Sequence, residues 1–580
     1  MIGKIQKNIS RLRDIRGVDL FINYLNIFFS KFDSLVYRFP LIFSLVFGFL
    51  SRFAFTDAEM SSCFLFLLFY YFRILKMLYL QGKTKRFFFS GLFYGFGIYS
   101  GVFYWILSLN EFGFKTIGTE LFLSIFGYVG ATLYLSFYIG ISAYLARKLS
   151  FNILSLYIFF SCFVSFCELI ARYVVDLAPF VFLSYGVSSF NYFIQIGSIV
   201  GTIGITLLVF LIISFLSVSG YRKKGLLIYF ICVLYGFYKL KIKNDYLIPK
   251  EKFDICVVQA NLDDDERSNF CDTSSDGFAE LADIDSIKNL DHKLLVIAPE
   301  TIIYSGFDYI KYFVKRGCGF YKNKYVLNPN RFTNIADDNT SNIIVCTGFW
   351  EYLVNERYNS YQFFTYDYAS NDVKRLDYYD KKYLIPFGET IPNWMFKLTS
   401  IMPKKFKFIH DLMDEFRRTM YNVGKKSNTI RLNGISPFAM EICSDIINSG
   451  LSLDDSYEPT WILSTMNFHN FNGKDKVTNL AHLGFLFGKY RSLEFSRPVV
   501  MCINFGYSCI IDCNGNVVKI LKTKKSSAFK HEMPMKYDVS IFSMFRNKVV
   551  FFMLLMLLIL LFIAKYKKNK SISNFFSHVE

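Results

Sequence analysis

The chain has 580 residues, 53% of them hydrophobic, with a mean hydropathy of +0.30 and a net charge of +18. That is too apolar for a simply soluble protein. The charge does not point to nucleic acid either, because Lys and Arg gather in short runs beside apolar segments instead of interleaving with aromatics on one face. The 12 cysteines are scattered without a CxxC pair, so metal-ligand spacing is absent.

Taken in order, a basic start (Lys4, Lys7, Arg11, Arg13, Arg16) leads to an apolar patch at 20–29, too short to span a bilayer and without a cleavage pattern after it. Seven apolar segments follow at 39–55, 61–80, 87–109, 121–146, 151–175, 192–218 and 226–240, and an eighth lies at 549–564. Each is judged against the roughly 20 apolar residues that cross a membrane. The connecting segments alternate in charge. Lys83, Lys85 and Arg86, then Arg147 and Lys148, then Arg222, Lys223 and Lys224, and finally Lys565, Lys567, Lys568 and Lys570 share a side with the basic start. Asp57, Glu59, Glu111, Glu120 and Asp176 take the other side. The excess of basic residues in cytoplasmic loops then puts both termini in the cytoplasm and the large middle segment outside. The expected division is a seven-helix bundle over 1–244, a globular domain over 245–545, and a last membrane helix with a basic cytoplasmic tail over 546–580.

Two sets of charges fall inside the apolar segments. Arg73 and Lys76 lie near a membrane boundary, where long side chains reach back to water. Glu168 and Arg172 stand one helical turn apart, a spacing that suits an ion pair.

The middle segment alternates short apolar runs with polar stretches. Residues 254–262, 294–298, 343–348, 461–465 and 498–504 read as strands, and 481–495 as a helix, which together suggest an α/β sheet covered by helices. Three of its segments end on reactive residues. Leu294 to Ala298 runs into Pro299-Glu300, Tyr379-Asp380-Lys381 opens a stretch closed by Pro386-Phe387-Gly388-Glu389, and Ile435 to Ile442 delivers Cys443-Ser444-Asp445. A thiol is the best neutral-pH nucleophile among side chains, yet it needs a base and a positive neighbour. Glu300 supplies the base, and Lys381 stabilises the thiolate and the oxyanion that follows its attack on an acyl carbonyl. Taken singly, a strand-end Cys is packing, a Lys is a solvated charge and a Glu is a loop carboxylate. It is their order, each beside an apolar run, that carries the reading.

Glu, Lys and Cys in that order resemble the catalytic set of the nitrilase (carbon-nitrogen hydrolase) superfamily. With the membrane half added, the chain resembles apolipoprotein N-acyltransferase. Val257 to Asn261 looks like that family's first strand, Pro299-Glu300 like its Trp-Pro-Glu, and Tyr379 to Glu389 like its long lysine motif. Ile442-Cys443 is similar to its nucleophile segment and Arg491 to Pro498 to its Arg-Ala-Leu-Glu-x-Gly-Arg-Pro. Tyr104-Trp105, Glu168 with Arg172, and Gln195 to Gly204 also fit. The chain departs from the pattern at Ala298, which replaces a Trp, and at Ser444-Asp445, which replace Tyr-Glu. It departs again at Phe468 and Asn470 within 467–471, and in lacking Gly-Phe-Pro-Trp near Pro179.

The resemblance implies a membrane α-helical bundle of about eight transmembrane helices carrying an extracytoplasmic αββα sandwich of nitrilase type. It implies Glu300, Lys381 and Cys443 as catalytic residues, with Glu389 and Asp445 as supporting carboxylates around Lys381, and no metal or cofactor. It further implies a membrane phospholipid as acyl donor, a thioester on Cys443 and a diacylglyceryl lipoprotein amine as acceptor, in a bacterial inner membrane with the domain in the periplasm. A segment at 391–420, with Trp394, Met395, Phe396, Ile401 and Met402 among basic residues, reads equally as a mobile arm dipping into the interface or as a packed hairpin. The residues leave two other functions open, a membrane-anchored amide hydrolase and a catalytically degenerate lipid-binding scaffold.

Overall fold

The structure is a computed structural model. It describes residues 32–108, 117–174, 181–259, 261, 292–300, 340–353, 356–367, 372–386, 388–391, 393–402, 410–411, 413, 420–448, 458–469, 471, 478–522 and 526–577. The patch at 20–29, Pro179 and Asn470 lie outside the described residues, as do the side chains of Arg172, Trp394 and Met395.

The membrane half is built from α1 (Pro40–Ser51), α2 (Ser61–Leu80), α3 (Thr84–Val102), α4 (Ile117–Leu149), α5 (Ile153–Val174), α6 (Gly197–Leu216) and α7 (Arg222–Phe237). Six helices among the described residues are long and apolar enough to cross a membrane: Ser61–Leu80, Ser124–Leu149, Ile153–Ala171, Gly197–Leu216, Ser219–Ile242 and Lys548–Lys567. The pair Phe32–Arg38 and Pro40–Phe55, bent by 112°, makes a seventh if it counts as one span. Its bend falls on Phe39, because the ring of the following Pro40 disfavours helical backbone at the residue before it. The eight spans read from the sequence exceed this count by α3, whose Lys85, Arg86, serines, tyrosines and glycines dilute its apolarity. α3 nevertheless packs within the bundle, so close to α1 that a Cβ added at Gly97 would lie 2.4 Å from the backbone nitrogen of Phe49. Arg73 does more than reach for water, since its guanidinium pairs with Asp33 at 2.7 Å. Glu168 is buried and accepts the Leu183 N–H at 2.8 Å.

The other half is two six-stranded sheets packed face to face. In chain order the strands are β1 (Phe253–Gln259), β2 (Lys293–Ile297), β3 (Thr340–Leu353), β4 (Glu356–Asp367), β5 (Asp372–Asp380), β6 (Thr429–Leu432), β7 (Ile435–Ile442), β8 (Trp461–Asn467), β9 (Val499–Asn504), β10 (Ser508–Ile511), β11 (Val517–Leu521) and β12 (Ser527–Met533). One sheet runs β12-β1-β2-β3-β4-β5 and the other β11-β10-β9-β8-β7-β6. Each has a parallel centre, β1-β2-β3 and β7-β8-β9, extended by antiparallel neighbours. Such doubly covered parallel strands carry near-continuous apolar runs, which is why these were the segments legible in sequence.

Alternation along each strand divides its side chains between two cores. Val500 and Cys502 of β9 face the opposing sheet together with Phe438, Met440 and Leu463. Val499, Met501 and Ile503 face outward, onto α8 (Leu480–Phe495) and the bundle. α8 is therefore buried on both sides. It separates the sheet from the membrane helices, and its polar residues are joined to both halves. The Glu494 carboxylate accepts the Thr202 N–H at 2.6 Å and the Thr202 hydroxyl, and is ion-paired with Arg491. Lys489 donates to Ser188 O at 2.8 Å, and the Asn479 amide beside α8 donates to Val102 O at 2.7 Å. Thr202 can present its N–H because α6 is broken at Gly201, which has φ 71° and ψ 178°. α9 (Lys548–Ser577) closes the described chain as a further apolar helix.

Candidate active site

The site lies where strands of both sheets end. β2 stops at Ile297, and the Ala298 N–H still donates to Cys346 O at 3.0 Å before Pro299 removes the next donor and turns the chain. Glu300 follows, 5% exposed. β5 stops at Asp380, and Lys381 continues its pairing by donating its N–H to Asn359 O at 2.9 Å, which fixes the start of its side chain. Lys381 is 1% exposed. β7 stops at Ile442, and Cys443 turns out of the strand with φ +50°, the left-handed region that L-residues seldom occupy. Backbone strain of this kind, at a half-buried thiol, clusters at functional sites.

These turns bring Glu300, Lys381 and Glu389 together. The Lys381 ammonium contacts Glu389 at 2.8 Å and stands 3.8 Å from Glu300. The Asn359 amide donates to Glu300 Oε1 at 2.7 Å and to Glu389 Oε1 at 3.0 Å. Glu300 Oε2 accepts the Asn467 N–H at 3.1 Å, and Glu389 Oε2 the Ile385 N–H at 2.8 Å. Buried charges persist only when so paired and bonded.

Asp445 occupies a different position from Glu389. Its carboxylate accepts from Tyr383 N at 2.7 Å, Tyr379 OH at 3.0 Å and Ile442 N at 3.1 Å, so it ties the turn after Cys443 to the lysine segment. The Ser444 hydroxyl adds to that tie by donating to Tyr383 O. Next to the site, Phe471 meets Trp105 of the membrane half edge-on at 4.8 Å, and His469 lies 5.2 Å from Phe505.

Electrostatics follow from burial. Burial pushes the Cys443 thiol well above its ordinary value and Glu300 and Glu389 add to the rise, with Lys381 opposing. Glu300 is raised by burial and by Glu389, against the pull of Lys381 and its hydrogen bonds. Burial pulls Lys381 down, but Cys443, Glu389 and Glu300 more than reverse it, so it stays cationic. Burial raises Asp445 to about 6. The resting pair is thus a neutral thiol near a base of raised affinity, with a permanent cation among them. That arrangement suits proton removal coupled to attack on an acyl group.

Asn359 and Tyr379 are the residues that sequence reasoning did not assign a role. Asn359 sits in an alternating polar and aromatic strand with no signal of its own. Tyr379 belongs to the lysine motif, but nothing in that motif marks its hydroxyl as a partner of Asp445. In the 391–420 segment, Asn393–Ile401 is helical, and Ile401 at its end is 79% exposed.

Residues 47–215 match the family model described as the apolipoprotein N-acyltransferase N-terminal domain. An apolipoprotein N-acyltransferase of Haemophilus ducreyi (strain 35000HP / ATCC 700724) is 23% identical over 470 residues, covering 77% of this chain and 82% of that protein. Among solved structures, Saccharomyces cerevisiae Nit3, a member of branch 10 of the nitrilase superfamily, is similar with 17% identity and a TM-score of 0.32, covering 49% of this chain and 92% of its own. An amidase from Nesterenkonia sp. is similar with 11% identity and a TM-score of 0.31, covering 50% and 92%.

Proposed function

We propose that this membrane protein, similar to the apolipoprotein N-acyltransferases, moves a fatty acyl chain from a membrane phospholipid to the α-amine of a diacylglyceryl-cysteine. The observation that carries the reading is the buried Glu300–Lys381–Glu389 group beside the strained turn at Cys443. Glu300 takes the thiol proton as sulfur attacks the ester carbonyl, and the Lys381 ammonium stabilises the oxyanion. The ester C–O bond breaks, Glu300 returns the proton to the departing lysophospholipid oxygen, and the acyl group stays as a thioester. The acceptor amine then attacks the thioester and gives its proton to Glu300. An amide forms and the thiol is regenerated. Glu389 holds Lys381 in place, and Asp445 holds the nucleophile turn.

The reading extends to orientation. α6 touches the sheet half near its start, at Thr202, and the segment after α7 touches it again through Lys239 and Ser496, 3.0 Å apart. The basic residues Arg222, Lys223 and Lys224 at the start of α7 are therefore at the far end. With basic loops inside, the sheet half faces the periplasm of a bacterial inner membrane.

The test is intact mass spectrometry after incubation with phospholipid, comparing the native chain with Cys443→Ala. An added acyl mass absent from the variant supports the thioester step. Bound lipid without an adduct would replace it with a lipid-binding scaffold. Adding a lipopeptide amine then separates transfer, which yields an amide, from hydrolysis, which yields a free acid.

A further inference from the structure

The chain passes between its membrane and sheet halves twice, and the two passages lie side by side. Leu247 and Tyr537 exchange backbone hydrogen bonds at 2.9 Å, just beyond the ends of the adjoining membrane helices. Beside this bridge opens a groove of about 620 Å³, whose lining includes Lys250, Lys252, Lys536, Ile248, Val518 and Met535. The three lysines are exposed, and no hydrogen bond or ion pair to another described residue holds any of them. Two carboxylates also line it. Asp512 is already taken by the N–H groups of Asn514 and Asn516 in its own turn, which leaves Glu532 as the exposed negative group. That turn rests on the membrane half, where Gln195 donates to Asn514 O at 2.8 Å. The rim is apolar and outward-facing, with Ile248 58% and Val518 43% exposed.

Free ammonium groups above exposed aliphatic side chains, at the level where membrane helices end, match the boundary between lipid headgroups and acyl chains. β11 on the groove side is four strands from β7, about 19 Å at ordinary strand spacing, so the groove is not the Cys443 site. We propose that it seats the headgroup of an anionic phospholipid from the surrounding membrane, its phosphate among Lys250, Lys252 and Lys536 and its chains along Ile248 and Val518. One lipid held there would bridge both passages and fix the seam between the halves.

The test uses the full chain carrying Cys443→Ala, so that no covalent acyl adduct forms, and native mass spectrometry with phosphatidylglycerol or phosphatidylcholine as probe. A basic residue near an anionic surface is worth roughly fivefold in affinity, so the triple change Lys250→Gln, Lys252→Gln, Lys536→Gln should weaken phosphatidylglycerol retention about a hundredfold. Phosphatidylcholine retention should not change. The corresponding triple change to Arg should keep phosphatidylglycerol bound, and Glu532→Gln should tighten it. Equal retention of the two lipids by the parent, or undiminished phosphatidylglycerol on the Gln variant, overturns the proposal. Displacement of the lipid by millimolar inorganic phosphate would also overturn it, by making the groove a site for free phosphate.

Discussion

The Asn359 amide nitrogen lies 2.7 Å from Glu300 and 3.0 Å from Glu389, so one neutral donor is shared between a buried and a partly buried carboxylate. Among the described residues Lys381 is the cation ion-paired with both, and Asn359 keeps them oriented without adding a second positive charge. Removing a hydrogen bond to a charged group costs about 1.5–3 kcal/mol, so Asn359→Ala should slow acyl-adduct formation roughly ten- to hundredfold. Time-resolved intact mass spectrometry at neutral pH measures it. An unchanged rate would remove Asn359 from the site's working parts.

In the proposed reaction Glu300 must be ionised to accept the thiol proton, and burial and Glu389 raise its pKa. Activity should therefore climb with pH along a limb displaced above the ordinary carboxylate range, about 4.3. Glu389→Gln deletes a negative neighbour and leaves Lys381 with Glu300 as its nearer counter-ion. Both effects favour the charged base, so the limb should move to lower pH even though the maximal rate falls. A limb that stays in place would mean that another group controls it.

Asp445 accepts three hydrogen bonds, and an amide in its place would turn a donor toward one of the donors. Asp445→Asn should cost about 1–3 kcal/mol, read as a lower thermal midpoint in detergent, with Tyr379→Phe nearer the low end. The folded pKa of about 6 lies above that of an unfolded Asp, so the folded state binds the proton more tightly. This group's contribution to stability is therefore fully present at pH below about 4, the unfolded value, and is lost as pH rises through about 6. The native chain should show that loss and Asp445→Asn should not.

Gly201 has φ 71°, and a Cβ there would sit 2.2 Å from the Phe542 ring. Gly201→Ala combines a left-handed penalty of about 1–2 kcal/mol with overpacking of about 1–3 kcal/mol. Gly82 has the same φ with nothing within 4 Å, so Gly82→Ala should incur only the first. Comparing the two melting temperatures separates backbone strain from crowding at the seam.

The sequence made the parallel strands legible, because strands buried on both faces read as apolar runs: β2, β8 and β9 fall within a residue or two of their expected places, and β1 starts one residue before its expected place and ends three short. It did not announce β4, β5 or β11, whose mixed polar and aromatic residues resemble loops at the level of composition. Glu300, Lys381 and Cys443 stood out because each lies beside an apolar run. Asn359 did not, since its part depends on β4 lying next to β5, a pairing that no local pattern encodes. The eight apolar segments of the sequence and the described helices apolar enough to span differ by α3 for a related reason. α3 pairs its backbone with its neighbours through glycine, and a helix selected for close approach need not be strongly apolar.

A boundary drawn at 244/245 follows the change in composition but not the way the molecule is held together. α8 belongs by chain position to the globular half, yet Lys489 and Glu494 end on Ser188 and Thr202. Excising the sheets would expose to water a slab of aliphatic and aromatic side chains and leave several charges without counterparts. A fragment cut at that boundary would carry half of an interior, because α8 is buried among the membrane helices as well as the sheet.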